Sequence, residues 1–160
     1  MKRISVVVVA LAVLAISKPA FAQDEESQVL AAVQQFFDGM AASDPVVSRA
    51  VLMEGGQFYA TRQDPDELFI RQSNFEEYLS NIESNTSALL ERMWDPHVSV
   101  TGWLAVVTTP YDFHIDGKFS HCGTDVFNLI KTNDGWQISS AMYTIELTGC
   151  EPSPLGEPEF

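Results

Sequence analysis

In FSHCGTDVFNLI, residues 119–130, a histidine and a cysteine stand side by side, and an aspartate follows three residues after the cysteine. Such residues serve three kinds of chemistry: a cysteine nucleophile with a histidine base, one half of a disulfide, or part of a metal ligand set. The stretch otherwise reads as a strand, and neighbours in a strand point to opposite faces. His121 and Cys122 therefore cannot act together from a regular strand, which argues against a catalytic cysteine. A metal site would have to combine His114, His121 and a carboxylate, and no spacing in the chain matches a compact zinc motif, so no metal is expected. The chain has no glycine-rich phosphate loop and no Ser-His-Asp signature, and no cofactor is expected.

The disulfide reading depends on the compartment. The chain opens MKRISVVVVALAVLAISKPAFA: Lys2 and Arg3 form a positive start, residues 5–16 an apolar run, and Ala20-Phe21-Ala22 a small-x-small cleavage pattern. Lys18-Pro19 interrupts the run too early for a membrane span of about 20 residues. The pattern predicts a signal peptide over 1–22, cleavage after Ala22 and a periplasmic or secreted protein. Export makes a Cys122–Cys150 disulfide the expected use of the two cysteines. In the expected register Cys150 projects beyond the level of Cys122, so the chain would have to turn back over the sheet. Thr148-Gly149 is a place for that turn, because glycine tolerates positive φ.

Removal of residues 1–22 leaves 138 residues, enough for one domain with its own core. Six basic residues then face twenty-two acidic ones. Such a surface repels phosphate backbones, so nucleic acid is not an expected partner. No second apolar run is long enough to span a membrane.

The elements that would position the chemistry follow from periodicity. Residues 24–42 predict a helix, with Val29, Val33, Phe36, Phe37 and Met40 on one face. Asp44 caps a short helix opened by Pro45, and Gln57–Arg62 predicts a short strand. Ser73-Asn74-Phe75-Glu76 has the form of a capping box and opens a helix to about Glu83. Period-two patterning then predicts strands over 88–101, 103–115, 118–132 and 135–147, with hairpin turns at Asp116-Gly117 and Asn133-Asp134-Gly135. The tail, residues 151–160, is rich in proline and glutamate and reads as disordered. Helices followed by an antiparallel meander make an α+β arrangement in which the sheet curves around the helices.

A two-residue turn at Asp116-Gly117 pairs Ile115 with Lys118. Carried along regular strands, it sets Asp112 opposite His121, Thr108 opposite Asp125 and Val106 opposite Phe127. One face then holds an apolar half (Leu104, Val106, Phe127, Leu129, Trp136, Ile138) and an ionisable half (Asp112, His114, His121, Asp125, Glu146). The other face carries Trp103, Val107, Phe113, Val126 and Ile130, which suits a homodimer through the sheet. The ionisable half has three readings: a wet polar rim, a general acid–base site built on His121 with Asp112 or Asp125, and a ligand-orienting group without chemistry. Tyr111 reaches this face only if the strand is irregular near Pro110.

The run PYDFHIDGKFSHCGTDVFNLIKTNDGWQI, residues 110–138, resembles the nuclear transport factor two-like superfamily, and within it the SnoaL-like and lumazine-binding branch. The P-Y-x-F, D-G-K, H-C-G-x-D-x-F and G-W-x-I series carry the likeness, with Gly149-Cys150 after the last strand; the order of elements extends it over most of residues 25–150. The resemblance implies a cone-shaped α+β barrel over 23–150, often dimeric, with a pocket between sheet and helices, and no fixed activity. Where similar sequences carry a basic stretch near the end of the last strand, this chain carries Met142-Tyr143-Thr144-Ile145-Glu146, so no basic binding site is transferred.

The expectation is an exported module holding a small, flat or apolar molecule, with His121, Asp125, Phe127, Val106 and Met142 as ligand-binding residues. A cofactor-independent isomerase or dehydratase using His121 with Asp112 or Asp125 is the second reading. A dimeric interaction domain without ligand is the third.

Overall fold

The computed structural model describes residues 20–64 and 67–159, without the side chains of residues 20–23, 63 and 64. The signal peptide expected at 1–22 lies, but for its last three residues, outside the described residues. Helix α1 (Ala20–Ala41) begins four residues before the periodic pattern does. Its predicted face is buried: Val29, Val33, Phe36, Phe37 and Met40 are all at most 7% exposed. The Phe36 and Phe37 rings meet Phe127 of the sheet at 6.0 and 5.7 Å between centroids, which makes this helix the plug of the core. At its other end Glu25 accepts from Lys131 Nζ and, at 3.1 Å, from Trp136 Nε1, tying the helix to the last hairpin.

Asp44 caps α2 (Pro45–Arg49) as expected, accepting from Val46 N and Val47 N at 2.9 and 3.3 Å. A strand pair follows, β1 (Leu52–Asp64) and β2 (Glu67–Asn74). β2 was not expected: its Leu68, Phe69 and Ile70 form an exposed apolar run with no alternation to read. Helix α3 (Phe75–Ser84) is capped by Asn74, whose side chain accepts from Glu77 N at 2.8 Å. The capping box expected one residue earlier does not form, because Ser73 is still paired with Phe58 in the β1–β2 ladder. Gly56 lets α3 start against β1: a Cβ there would lie 2.1 Å from the Phe75 ring.

The strand expected over 88–101 is two strands, β3 (Leu89–Met93) and β4 (His97–Thr101), broken at Trp94-Asp95-Pro96, where Asp95 has φ 45°. The long strands β5 (Leu104–Ile115), β6 (Lys118–Thr132) and β7 (Gly135–Ile145) complete the sheet. Its order is β2-β1-β7-β6-β5-β3, with β4 also on β5. The expected α+β cone is present, with two refinements. The sheet is curved but does not close, since β2 and β3 end it, and it is mixed, since β1 runs parallel to β7.

The first hairpin turns where predicted, with Ile115 opposite Lys118, but the register then slips. His114 faces Phe119 and Phe113 faces His121, so Ser120 is an extra residue, a β-bulge. From there on every pairing is one residue off the expectation. Asp112 faces Cys122, Thr109 faces Asp125 and Val107 faces Phe127. Because side chains alternate, this single residue exchanges the two faces of β5. Val107 is fully buried and Phe113 faces inward, whereas Leu104 and Val106 are 58% and 39% exposed. The second hairpin has a two-residue loop, Thr132 facing Gly135, and a second bulge at Ser139 sets Phe127 opposite Ala141.

Cys122 and Cys150 are joined by a disulfide across a Cα separation of 6.0 Å. The chain turns back through Gly149, at φ 80°, as the cysteine positions required. The segment after it lies over the outer sheet face, where Arg92 Nη1 donates to the Gly156 carbonyl at 2.9 Å.

Candidate functional site

Between the helices and the inner face of the sheet lies a cavity of about 310 Å³. Phe36, Phe58, Tyr78, Phe113 and Phe127 give it aromatic walls. Its polar groups are few: Glu91, Tyr111, His121, Asp125 and Tyr143 inside, with Arg71, Ser73 and Asn81 toward the solvent end. An apolar cleft with a handful of convergent polar groups is the usual form of a small-molecule site.

Glu91 and Asp125 meet inside it. Asp125 is only 3% exposed, and its Oδ2 has no hydrogen-bond partner. Burial pushes its pKa up to about 7, against a hydrogen bond from Glu91 that favours the ionised form. Glu91 is driven well above the carboxylate range, first by burial and then by the charge of Asp125. Two carboxyls this close in a low-dielectric site do not both ionise. The pair holds a proton at neutral pH and presents one donor and one acceptor, with Glu91 the more strongly protonated partner.

Tyr111 crosses this floor. Its hydroxyl donates to the Thr144 carbonyl at 2.7 Å, and burial, reinforced by Glu91 and Asp125, holds it protonated. Gly123 makes room for it: a Cβ there would lie 2.8 Å from the Tyr111 ring and 2.1 Å from the Thr144 carbonyl oxygen. Tyr111 reaches the inner face because of the bulge at Ser120, not through an irregularity at Pro110.

His121 stands between Tyr111 and Phe113, its ring centroid 5.8 and 5.1 Å from theirs. Ser120 Oγ is 3.0 Å from its Nδ1. Burial lowers its pKa, so the neutral imidazole is favoured. Cys122 points the opposite way, as alternation requires.

Of the residues singled out from the sequence, His121, Asp125 and Phe127 line the cavity, and Asp112, His114, Val106 and Met142 do not. Val106 changes face with the β5 register. Met142 faces Val126 on the outer side and is 43% exposed. Asp112 is buried on the outer face, where Arg92 Nε and Nη2 donate to its two oxygens at 2.9 and 2.6 Å. His114 Nδ1 lies 3.7 Å from the same carboxylate. Glu146 is exposed, bridged to Cys122 on the outer side. Among the described residues no three His, Cys, Asp or Glu side chains are grouped as a metal site would need.

Sequence reasoning passed over Glu91. The signal was present: in LLERM, period two places Glu91 with Leu89 and Met93, both of which pack toward the core. A carboxylate in that row is the anomaly that marks a site.

A family model described as "Putative lumazine-binding" matches residues 24–144. Among solved structures, the chain is similar to a "putative dehydratase" of the nuclear transport factor two-like family from Streptomyces avermitilis (20% identity, TM-score 0.61, covering 79% of this chain and 99% of that one). It is also similar to a superfamily protein from Salmonella enterica serovar Typhimurium (14%, TM-score 0.63, 86% and 99%). A third, a protein of unknown function from Mycobacterium tuberculosis, has 14% identity and a TM-score of 0.66 over 82% and 78%. At these identities the likeness shows the fold alone. No curated protein matches the chain. Among the described residues no helix is long and apolar enough to cross a membrane.

Proposed function

We propose, for a chain that belongs to the lumazine-binding family of the nuclear transport factor two-like superfamily, that its work is to hold one small, flat, largely apolar molecule in the cone. The observation that carries this reading is Asp125 Oδ2: a buried acceptor without a partner, aimed into an aromatic-walled cavity. An unmade hydrogen bond of a buried group costs about 1–3 kcal/mol, which a ligand N–H or O–H would recover. His121 adds a neutral ring nitrogen on the same face. Native mass spectrometry of the purified protein tests the reading. The expected result is a retained small molecule that His121→Ala and Asp125→Ala each release without unfolding the chain. Retention of the same molecule by both variants would place it elsewhere.

The second reading is proton transfer without a cofactor, and the neutral-range acidity of Asp125 favours it. Asp125 would be the base, with Glu91 as the acid beside it. Asp112, bound to Arg92 on the other face, has no part in either reading.

Export with cleavage after Ala22 belongs to the same proposal. It is supported by the disulfide, which persists in oxidising compartments, and by the N-terminal pattern. A homodimer through the outer sheet face is supported by the exposed Leu104, Val106 and Met142. The informative substitution is Val106→Lys, which should give monomers in sedimentation, and not one at Val107, which is buried.

A further inference from the structure

The two ends of the cavity differ in charge. The inner end holds Glu91 and Asp125, and Asp125 is almost wholly buried. The outer end holds Arg71, whose side chain is 58% exposed. Arg71 lies on β2 opposite Ala60, and Arg62 lies opposite Phe69 two rungs further along, on the same face of the ribbon. The Arg62 guanidinium sits over the Phe69 ring, 5.8 Å from its centroid. The chain carries nine Lys and Arg against twenty-two Asp and Glu, yet two arginines share the strand ribbon that forms one lip of the opening.

Arg71 is loosely held. Its Nη2 is 3.5 Å from Glu77 Oε1, at the outer limit of a hydrogen bond, and both side chains are about half exposed. Exposed pairs of this kind contribute little and exchange readily. Arg71 also reaches inward electrostatically, since its charge lowers the pKa of the Tyr143 phenol against the effect of burial. An anion deep in the cavity would meet the Asp125 carboxyl, whereas an anion at the lip would meet the planar fork of Arg71, with Ser73 and Asn81 beside it.

We propose that the ligand is an amphipathic organic anion: a flat apolar body in the aromatic cone, a hydrogen-bond donor on Asp125, and a carboxylate, sulfonate or phosphate on Arg71. This deepens the reading of the cavity as a binding site and rests on it.

A pair of fluorescent probes of matched shape tests it: anilinonaphthalene sulfonate and its uncharged relative phenylnaphthylamine, titrated into the full mature chain. The wild type should bind the sulfonate more tightly than the neutral probe, and added salt should erode the difference. Arg71→Gln should weaken the sulfonate by roughly tenfold, as a lost charge-assisted hydrogen bond does, and leave the neutral probe unchanged. Glu77→Gln, which releases Arg71 from its competitor, should tighten the sulfonate alone. Equal affinities in the wild type, or an equal response of both probes to Arg71→Gln, would overturn the anion preference while leaving the cavity as a binding site. Asn81→Trp on the exposed surface of α3 separates the two failures. It should obstruct the mouth and abolish both signals; if both persist, the probes bind elsewhere and the cavity reading falls together with the inference.

Discussion

Glu91 and Arg92 are neighbours on β3, and alternation sends them to opposite faces of one sheet, where two carboxylate clusters have formed with opposite character. On the outer face Asp112 meets Arg92 in a two-pronged pair, with His114 beside it and the Gly156 carbonyl on the free prong of the guanidinium. On the inner face Asp125 meets only another acid, Glu91, and burial without a facing cation forces the pair to keep a proton. The Asp112–Arg92 pair has its charge compensated and both carboxylate oxygens hydrogen-bonded, which is the condition for a buried ion pair to hold structure together. The inner cluster leaves an acceptor unmade in a cavity. A fold retains such a defect where something else completes it.

The comparison can be broken first at its compensated side. Arg92→Ala removes the guanidinium from Asp112 and leaves a buried carboxylate without its two-pronged partner, with His114 Nδ1 3.7 Å away. Loss of one partner of a buried pair costs about 3–5 kcal/mol. Chemical denaturation should show a loss of that order, with the C-terminal segment released from the sheet at the same time. An effect within half a kcal/mol would mean that solvent already serves Asp112.

The disulfide guards the same face, because Cys122 pairs with Asp112 across the β5–β6 ladder. Reduction, or Cys150→Ser, should lower stability by about 2–4 kcal/mol. The cavity should keep its probe affinity, since Cys122 points away from it. Equal loss of stability and binding would show that the two faces are not independent.

At the inner face the expected sign is the reverse. Asp125 and Glu91 bind protons more tightly folded than unfolded. Stability therefore falls as pH rises from the ordinary carboxylate range, near 4, to about 7 and beyond, by an amount on the order of a few kcal/mol. Asp125→Asn keeps the shape and removes much of this slope, so the variant should be more stable than the wild type at pH 8 and close to it at pH 5. Melting curves at the two values decide the point. A variant less stable at pH 8 would mean that the ionised Asp125 has a stabilising partner.

These two faces also mark what the sequence made legible and what it did not. The helix face of α1, the Asp44 cap, both hairpin turns and the alternation of His121 and Cys122 follow from local rules and are seen in the structure. The partners of His121 were misassigned by one extra residue, Ser120, which nothing in the run FSH announces. Period-two reasoning turns that single residue into a complete exchange of faces on β5, which moved Asp112, His114 and Val106 to the wrong side. The pairing of Arg92 with Asp112 depends on the register of β3 against β5, a long-range fact that no local pattern carries. β2 escaped notice because Leu68, Phe69 and Ile70 neither alternate nor become buried.

The central claim is that Glu91 and Asp125 share a proton in the neutral range inside the cavity. A carbon NMR titration of the side-chain carboxyls, on protein labelled at aspartate and glutamate and assigned through Asp125→Asn and Glu91→Gln, measures this directly. The Asp125 carboxyl should titrate near pH 7, with Glu91 still protonated above it, and Asp125→Asn should move the Glu91 midpoint down by removing the neighbouring charge. If both carboxyls instead titrate near pH 4, the pair is solvated and ionised, and the cavity lacks the uncompensated acid on which its assignment as a binding site rests.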